Sequence, residues 1–270
     1  MPFSKDPPDF WGAAKPSHWN TVPLFTWMLS DNELRGKTMA QCGQDIFVHK
    51  ICAKLLHGKQ PLYLDIGANE GSNGSSTQLL EMSGWTGLMV EPNPYLYRKI
   101  SSSRRDPILC AAVSDSPGVD VLVTGKQSHR LGTLKSYFTG YQRNRLESEV
   151  SITKSDAIVS IVVPSVSLVS LLKFLKAYFG DSPDFLKVDA EGCETEIVTA
   201  LANTECRPLI VEVENNQRQE DAADILTSIG YRCIIVMDSF VEIWIYYNKG
   251  GFISHEYLES IAQNNQCVFV

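Results

Sequence analysis

The sequence predicts one α/β domain built on a mostly parallel, doubly wound sheet that ends in an antiparallel hairpin. Three observations predict it. Short apolar runs alternate with helical patterns from residue 61 onward, several of those runs end in an acid next to Gly or Pro, and the last two runs are only three residues apart. A chain of 270 residues with 44% hydrophobic and 20% charged content is sufficient for one well-buried core with peripheral additions.

Residues 1–40 are proline-rich, carry Phe10, Trp11, Trp19 and Trp27 without clear periodicity, and read as an arm packing on the domain. In "QCGQDIFVHKICAKLL", Ile46, Phe47, Ile51, Leu55 and Leu56 fall near helical spacing, and Gly58 marks the stop. "PLYLDIG" (61–67), "TGLMVEP" (86–92), "ILCAAVS" (108–114) and "VDVLVTG" (119–125) read as strands, with a serine-capped helix in "SSTQLLEMSGW" between the first two. Residues 126–157 are polar and weakly patterned, and are expected to form a substrate-facing insertion or lid. Leu168, Leu171, Leu172 and Leu175 then follow i, i+3, i+4, i+7 after Ser165 or Ser167, the stripe of a core-facing helix. "DFLKVDAEG" (184–192) and "PLIVEVE" (208–214) continue the parallel sheet. "YRCIIVM" (231–237) and "VEIWIYYN" (241–248) are joined by Asp238-Ser239-Phe240, too few residues for a crossover helix, so they must pair antiparallel. The domain is expected over 41–250, with a tail at 251–270.

A net charge of −7 without Lys/Arg runs argues against nucleic acid as a partner. No apolar stretch reaches the roughly 18 residues of a membrane span, and the polar, proline-broken N-terminus does not read as a signal peptide. Seven cysteines without a C-x-x-C pair, mostly within apolar runs, suggest buried thiols in a reducing compartment. The single sequon, Asn73-Gly74-Ser75, lies in a loop that glycosylation would obstruct, which also favours the cytoplasm. No Walker A loop, nucleophile elbow or H-E-x-x-H is present, which removes several hydrolase and NTPase classes.

Three motifs carry chemistry. In Asp65-Ile66-Gly67-Ala68-Asn69-Glu70-Gly71 a glycine turn follows a buried strand, where backbone can approach a ligand and a following helix would offer N–H groups. The spacing is G-x-x-x-G rather than G-x-G-x-x-G, and an acid precedes the turn. That suits the cationic donor S-adenosylmethionine (SAM) better than a pyrophosphate, and argues against an NAD-dependent oxidoreductase. Glu91 ends the next strand, 91 − 65 = 26 residues later, near the roughly 20-residue separation at which an acid reaches a ribose diol in βαβ units. Asp189-Ala190-Glu191-Gly192-Cys193-Glu194, with Glu212 and Glu214 on the next strand, places acids at the carboxyl edge where α/β domains bind ligands. Asp189 and Glu191 are the first candidates for orienting or deprotonating an acceptor hydroxyl, with His129 as an alternative base. Each motif has a plainer reading: a turn without a ligand, a solvated acid before Pro92, and acids in the first turn of a helix favoured by its dipole. Oxygen-rich clusters also suit Mg²⁺ or Ca²⁺, but spacing does not show whether these ligands converge, so a divalent metal is possible and not favoured.

Taken together, "QCGQDIFV", "LDIGANEGSNGSSTQLLE", "GWTGLMVEPNP", "AAVSD", "DFLKVDAEGCETEIV" and "PLIVEVE", between Gln41 and Asn248, resemble the FkbM-type family of SAM-dependent methyltransferases. The resemblance implies a Rossmann-like class I methyltransferase fold and methyl transfer from SAM to a hydroxyl of a sugar, glycan or natural product. It also implies that Asp65, Gly67, Ala68 and Asn69 line the methionine end of SAM, that Glu91 meets the ribose, and that Asn93, Ala112 and Val113 lie near adenine. The alternative is a non-catalytic module that keeps the SAM loop or binds a glycan without transferring methyl. The arm, the 126–157 insertion and the tail match nothing in the family, so the acceptor is not implied.

Overall fold

A computed structural model describes residues 17, 24–26, 38–126, 131–152, 157–216, 220–237, 240–246, 256–257 and 268–269. In chain order the strands are β1 (Leu24–Thr26), β2 (Leu62–Ile66), β3 (Thr86–Val90), β4 (Ile108–Leu109), β5 (Ala112–Val113), β6 (Gly118–Gly125), β7 (Thr133–Leu134), β8 (Ile158–Val166), β9 (Phe185–Val188), β10 (Ile210–Glu214), β11 (Tyr231–Met237), β12 (Val241–Tyr246) and β13 (Val268–Phe269). The helices are α1 (Gln44–Leu55), α2 (Gln78–Met82), α3 (Pro94–Ser103), α4 (Gly140–Ile152), α5 (Leu168–Phe179), α6 (Glu194–Ala202) and α7 (Asp221–Ser228).

The central sheet runs β13-β1-β11-β12-β10-β9-β2-β3-β4. From β4 to β10 the strands are parallel. β12 folds back between β10 and β11 and is antiparallel to both, which is the expected terminal hairpin. The backbones of β1 and β13 extend the sheet beyond β11, so the N-terminal arm contributes a strand to the edge.

Both faces of this sheet are covered because its strands carry apolar side chains in two alternating rows. Tyr63, Met89, Phe185 and Ile210 pack with Phe47 and Ile51 of α1 on one face. Leu64, Leu88, Leu186 and Val211 pack with Leu171, Leu175, Ile197 and Leu226 of α5, α6 and α7 on the other. The leucine stripe of α5 is core as expected, and Ser167 caps that helix by accepting from Ser170 N.

Three local expectations need correction. The run 108–114 is two strands, because after β4 the chain leaves the central sheet and β5 joins a second sheet ordered β5-β8-β6-β7. β8 was not expected, since Ser160, Pro164 and Ser165 break its apolar pattern, yet it pairs with β6 along eight positions from Gly118↔Ser165 to Gly125↔Ile158. Residues 67–77 form a loop before α2, so no helix N-terminus stands at Gly67 to offer its N–H groups. Ser75 accepts from Gln78 N, while Thr77 occupies the cap position of α2 and donates its hydroxyl to Asp65.

The 126–157 insertion is ordered over its described part as β7, a single 3-10 turn at Lys135–Tyr137, and α4. No helix among the described residues is long and apolar enough to cross a membrane. None of the six described cysteines is in a disulfide.

Candidate active site

Parallel strands place their carboxyl ends at one edge, and here β2, β3 and β9 meet β5 and β7 of the second sheet around a cleft of about 590 Å³ including its open mouth. Gly67, Asn69, Glu91, Asn93, Ala112, Val113, Asp189 and Glu191 all line it, together with the apolar Leu96, Leu122 and Leu134. Asp65 and Ala68 stand behind the wall: Ala68 belongs to the core, and Asp65 is a buried acid under the loop. His129 lies outside the described residues.

Gly67 must be glycine. Its φ is +80°, and a Cβ would sit 1.7 Å from the carbonyl oxygen of Asp189, so the ends of β2 and β9 approach to backbone contact. The loop amides are already engaged. Gly67 N and Ala68 N donate to Val90 O, Asn69 N donates to Glu91 Oε2, and Gly71 N donates to Ala68 O. The loop therefore does not present a row of N–H groups to a pyrophosphate, unlike a dinucleotide-binding turn.

Glu91 is buried and fixed at both oxygens, Oε2 by Asn69 N at 2.8 Å and Oε1 by Asn93 N at 2.8 Å. Burial outweighs these two donors and pushes its carboxyl up to about 8. Asn93 is held in turn, accepting from Tyr95 N as the cap of α3. In its ionised form Glu91 keeps one lone pair on each oxygen, the arrangement that accepts from two neighbouring hydroxyls.

Beneath the cleft, Asp65, Lys187 and Glu212 sit side by side on β2, β9 and β10. Lys187 Nζ donates to Gly67 O at 2.7 Å and to Asp189 Oδ2 at 3.1 Å, and pairs with Asp65 Oδ1 at 3.4 Å. Burial alone would lower this amine, but Asp189, Asp65, Glu212 and Glu214 around it hold it above its ordinary value. Glu212, the acid predicted to emerge beside Asp189, instead stays under the loop and accepts from Ser76 Oγ and Gln44 Nε2. Glu214 is the acid that joins Asp189: carboxylate oxygens of Asp189, Glu191 and Glu214 lie within 4.8 Å of one another. Burial and the two neighbouring acids push Glu214 well above the usual carboxyl range.

Glu191 adopts a left-handed backbone, φ +50°, matched across the cleft by Asn69 at φ +54°. Non-glycine residues in this region cluster at functional sites. Arg145 of α4 forms an ion pair with Glu191, a contact the sequence did not reveal. Glu194 is turned inward, accepting from Ala190 N and Gly192 N, and so fixes the loop that carries Glu191. A divalent ion at Asp189, Glu191 and Glu214 would have to displace Arg145 from Glu191, and Lys187 already neutralises Asp189.

A family model of the methyltransferase FkbM domain matches residues 65–253. The chain belongs to the FkbM methyltransferase family. Two solved structures are similar to it at low level. The methyltransferase FkbM of Methylobacillus flagellatus KT has 12% identity and a TM-score of 0.38, covering 69% of this chain and 44% of that one. The precorrin-6y C5,15-methyltransferase of Geobacter metallireducens GS-15 has 16% identity and a TM-score of 0.31, covering 72% and 74%. The chain thus spans less than half the length of the first. No curated protein matches it. The FkbM match begins at Asp65 and takes in the glycine loop, Glu91 and the 189–194 loop, which build or border the cleft, and also the terminal hairpin of the sheet.

Proposed function

We propose that this FkbM-family chain is a SAM-dependent O-methyltransferase that acts on a hydroxyl of a sugar, glycan or natural-product acceptor. The observation that carries the reading is Glu91, an acid fixed at both oxygens beside an apolar slot walled by Leu96, Ala112, Val113, Leu122 and Leu134. A diol-accepting carboxylate beside an apolar slot fits a purine nucleoside, and the engaged loop amides disfavour a pyrophosphate attached to it. Glu91 would hold the ribose hydroxyls, Asn93, Ala112 and Val113 the adenine, and Gly67 and Asn69 the methionine end, with Asp65 and Ala68 supporting that loop from behind.

When bound, SAM supplies a methyl group activated on a sulfonium. The chain's own contribution is position and proton handling. Asp189, paired with Lys187, orients the acceptor hydroxyl at the cleft; Glu191, held by Arg145, walls the site. His129 remains an alternative base.

Titration calorimetry with SAM and S-adenosylhomocysteine tests the reading. Both should bind, and Glu91→Ala should weaken each at least about tenfold, the loss of two hydroxyl hydrogen bonds to a charged group. Absence of heat with both ligands would overturn it.

A further inference from the structure

A second cavity lies on the far side of Glu191, about 390 Å³ with its open mouth. Its walls come from α4 with Tyr141, Gln142 and Arg145, from Glu191 and the first turn of α6 with Glu194 and Thr195, from the end of β10 with Glu214 and the following Asn215 and Asn216, and from Ala222 of α7. Glu191 lines both cavities, and Asp189 on the cofactor side faces Glu214 on this side.

We propose that this cavity is the acceptor site, that it takes an uncharged, hydroxyl-rich molecule such as a neutral sugar, and that Glu214 takes the proton of the methylated hydroxyl. The inference rests on the SAM-dependent reading above.

Chemistry of the walls sets the class. Amides, a phenol and a threonine hydroxyl give many hydrogen-bonding groups beside the apolar surface of Val213 and Ala222, the mixed lining that suits a sugar with its polar hydroxyls and apolar ring faces. Three glutamates stand against one guanidinium, and Arg145 is engaged by Glu191. An anionic acceptor would be stripped of water beside carboxyls that burial and their neighbours already hold toward the neutral form, with the one guanidinium taken up by Glu191, whereas sugar hydroxyls can donate to or accept from those carboxyls.

Position sets the role of Glu214. Glu191 and Glu214 both border the cavity and reach the Asp189 carboxylate, but Glu191 is held in the ion pair with Arg145, which leaves Glu214, its Oε1 accepting from Asn216 Nδ2, as the base. The charged groups facing it are Asp189 and Lys187 from β9, Glu191 from the following loop, and Arg145 from α4. The surrounding acids favour its protonated form, and a sulfonium in the adjoining cleft favours its ionised form, so binding of the donor prepares the base. In the transfer, the acceptor oxygen forms a bond to the methyl carbon, the C–S electron pair stays on sulfur to leave a neutral thioether, and the hydroxyl proton passes to Glu214.

The test is transfer from tritiated-methyl SAM to methyl glycosides of glucose, mannose, galactose, fucose and rhamnose, with glucuronic acid and glucose 6-phosphate as anionic counterparts. SAM affinity is measured in parallel. At least one neutral glycoside should be labelled and the anionic sugars should not. Thr195→Trp, which fills the cavity, should abolish labelling with SAM affinity unchanged, and Glu214→Gln should lower labelling by about 10²–10⁴-fold, a far larger loss than any weakening of SAM binding. Labelling of no neutral glycoside, or equal labelling of the anionic ones, overturns the acceptor class. Labelling that survives Thr195→Trp overturns the site, and labelling that survives Glu214→Gln overturns the base. If the wild-type protein fails to bind SAM, the underlying reading falls instead.

Discussion

Lys187 is the residue on which the charge of the site turns. It lies within a buried strand, FLKV, and its ammonium holds Gly67 O, Asp65 and Asp189 together, tying the cofactor loop to the acid loop. Removing a buried cation leaves the partner carboxylates uncompensated, a change that costs about 3–5 kcal/mol. Lys187→Met is therefore expected to lose about that much stability in urea unfolding at pH 7, and less at pH 5, where the raised Glu212 and Glu214 beside it hold their protons. An equal loss at both pH values would show that packing rather than charge is responsible. A signal for this role was present in the sequence, since a lysine inside an apolar strand and the acids of VEVE are out of place in a buried sheet and need partners. The identity of those partners was not legible, because it depends on the register that puts Asp65, Lys187 and Glu212 abreast. The same limit explains why Glu212 was expected at the cleft, although register puts it one step deeper and Glu214 at the edge.

At the scale of elements, strands whose apolar runs end in Gly, Pro or an acid were readable one by one, and the two-sided burial followed from their alternation. β8 and α4 were not. β8 alternates exposed and buried positions with serines and a proline among them, and α4 is polar around most of its circumference, with Gln142 and Leu146 as its buried residues. Neither pattern announces a core face; tertiary pairing with β6 and docking through Arg145 hold them. The junction of β2 with β9 is stricter. Gly67→Ala combines a left-handed backbone, worth about 1–3 kcal/mol of strain, with a methyl group driven into the Asp189 carbonyl. The two strand ends must separate, so melting temperature should fall and SAM affinity should drop together. A variant that melts like the wild type would contradict the close approach.

For the whole molecule, the consequence of this site is a stability that falls as pH rises. Burial pushes Glu91 to about 8 and Glu194 and Glu212 to about 7, and raises Glu191 and Glu214 as well. Unfolded, these carboxyls return to values near 4.3. Between roughly pH 4.5 and 8 the folded chain thus holds more protons than the unfolded one, and the linkage slope is negative: stabilisation complete below the unfolded value is lost as pH climbs through the folded values. His49, lowered by burial, works in the opposite sense, but Asp45 and Asp106, both raised by burial, act with these glutamates. Growing negative charge on a chain already at −7 adds self-repulsion in the same direction as the acids. Calorimetric melting of the unliganded protein from pH 5 to 8.5 should give a steadily falling midpoint, and Glu212→Gln, which removes one titrating group while keeping its shape, should flatten the curve. SAM should stabilise most at the alkaline end, because its positive groups and ribose hydroxyls favour the ionised carboxylates that destabilise the empty site. A midpoint that stays level or rises across this range would mean that the acids around Lys187 and Glu91 are ionised throughout and that the cleft holds its charge without a ligand.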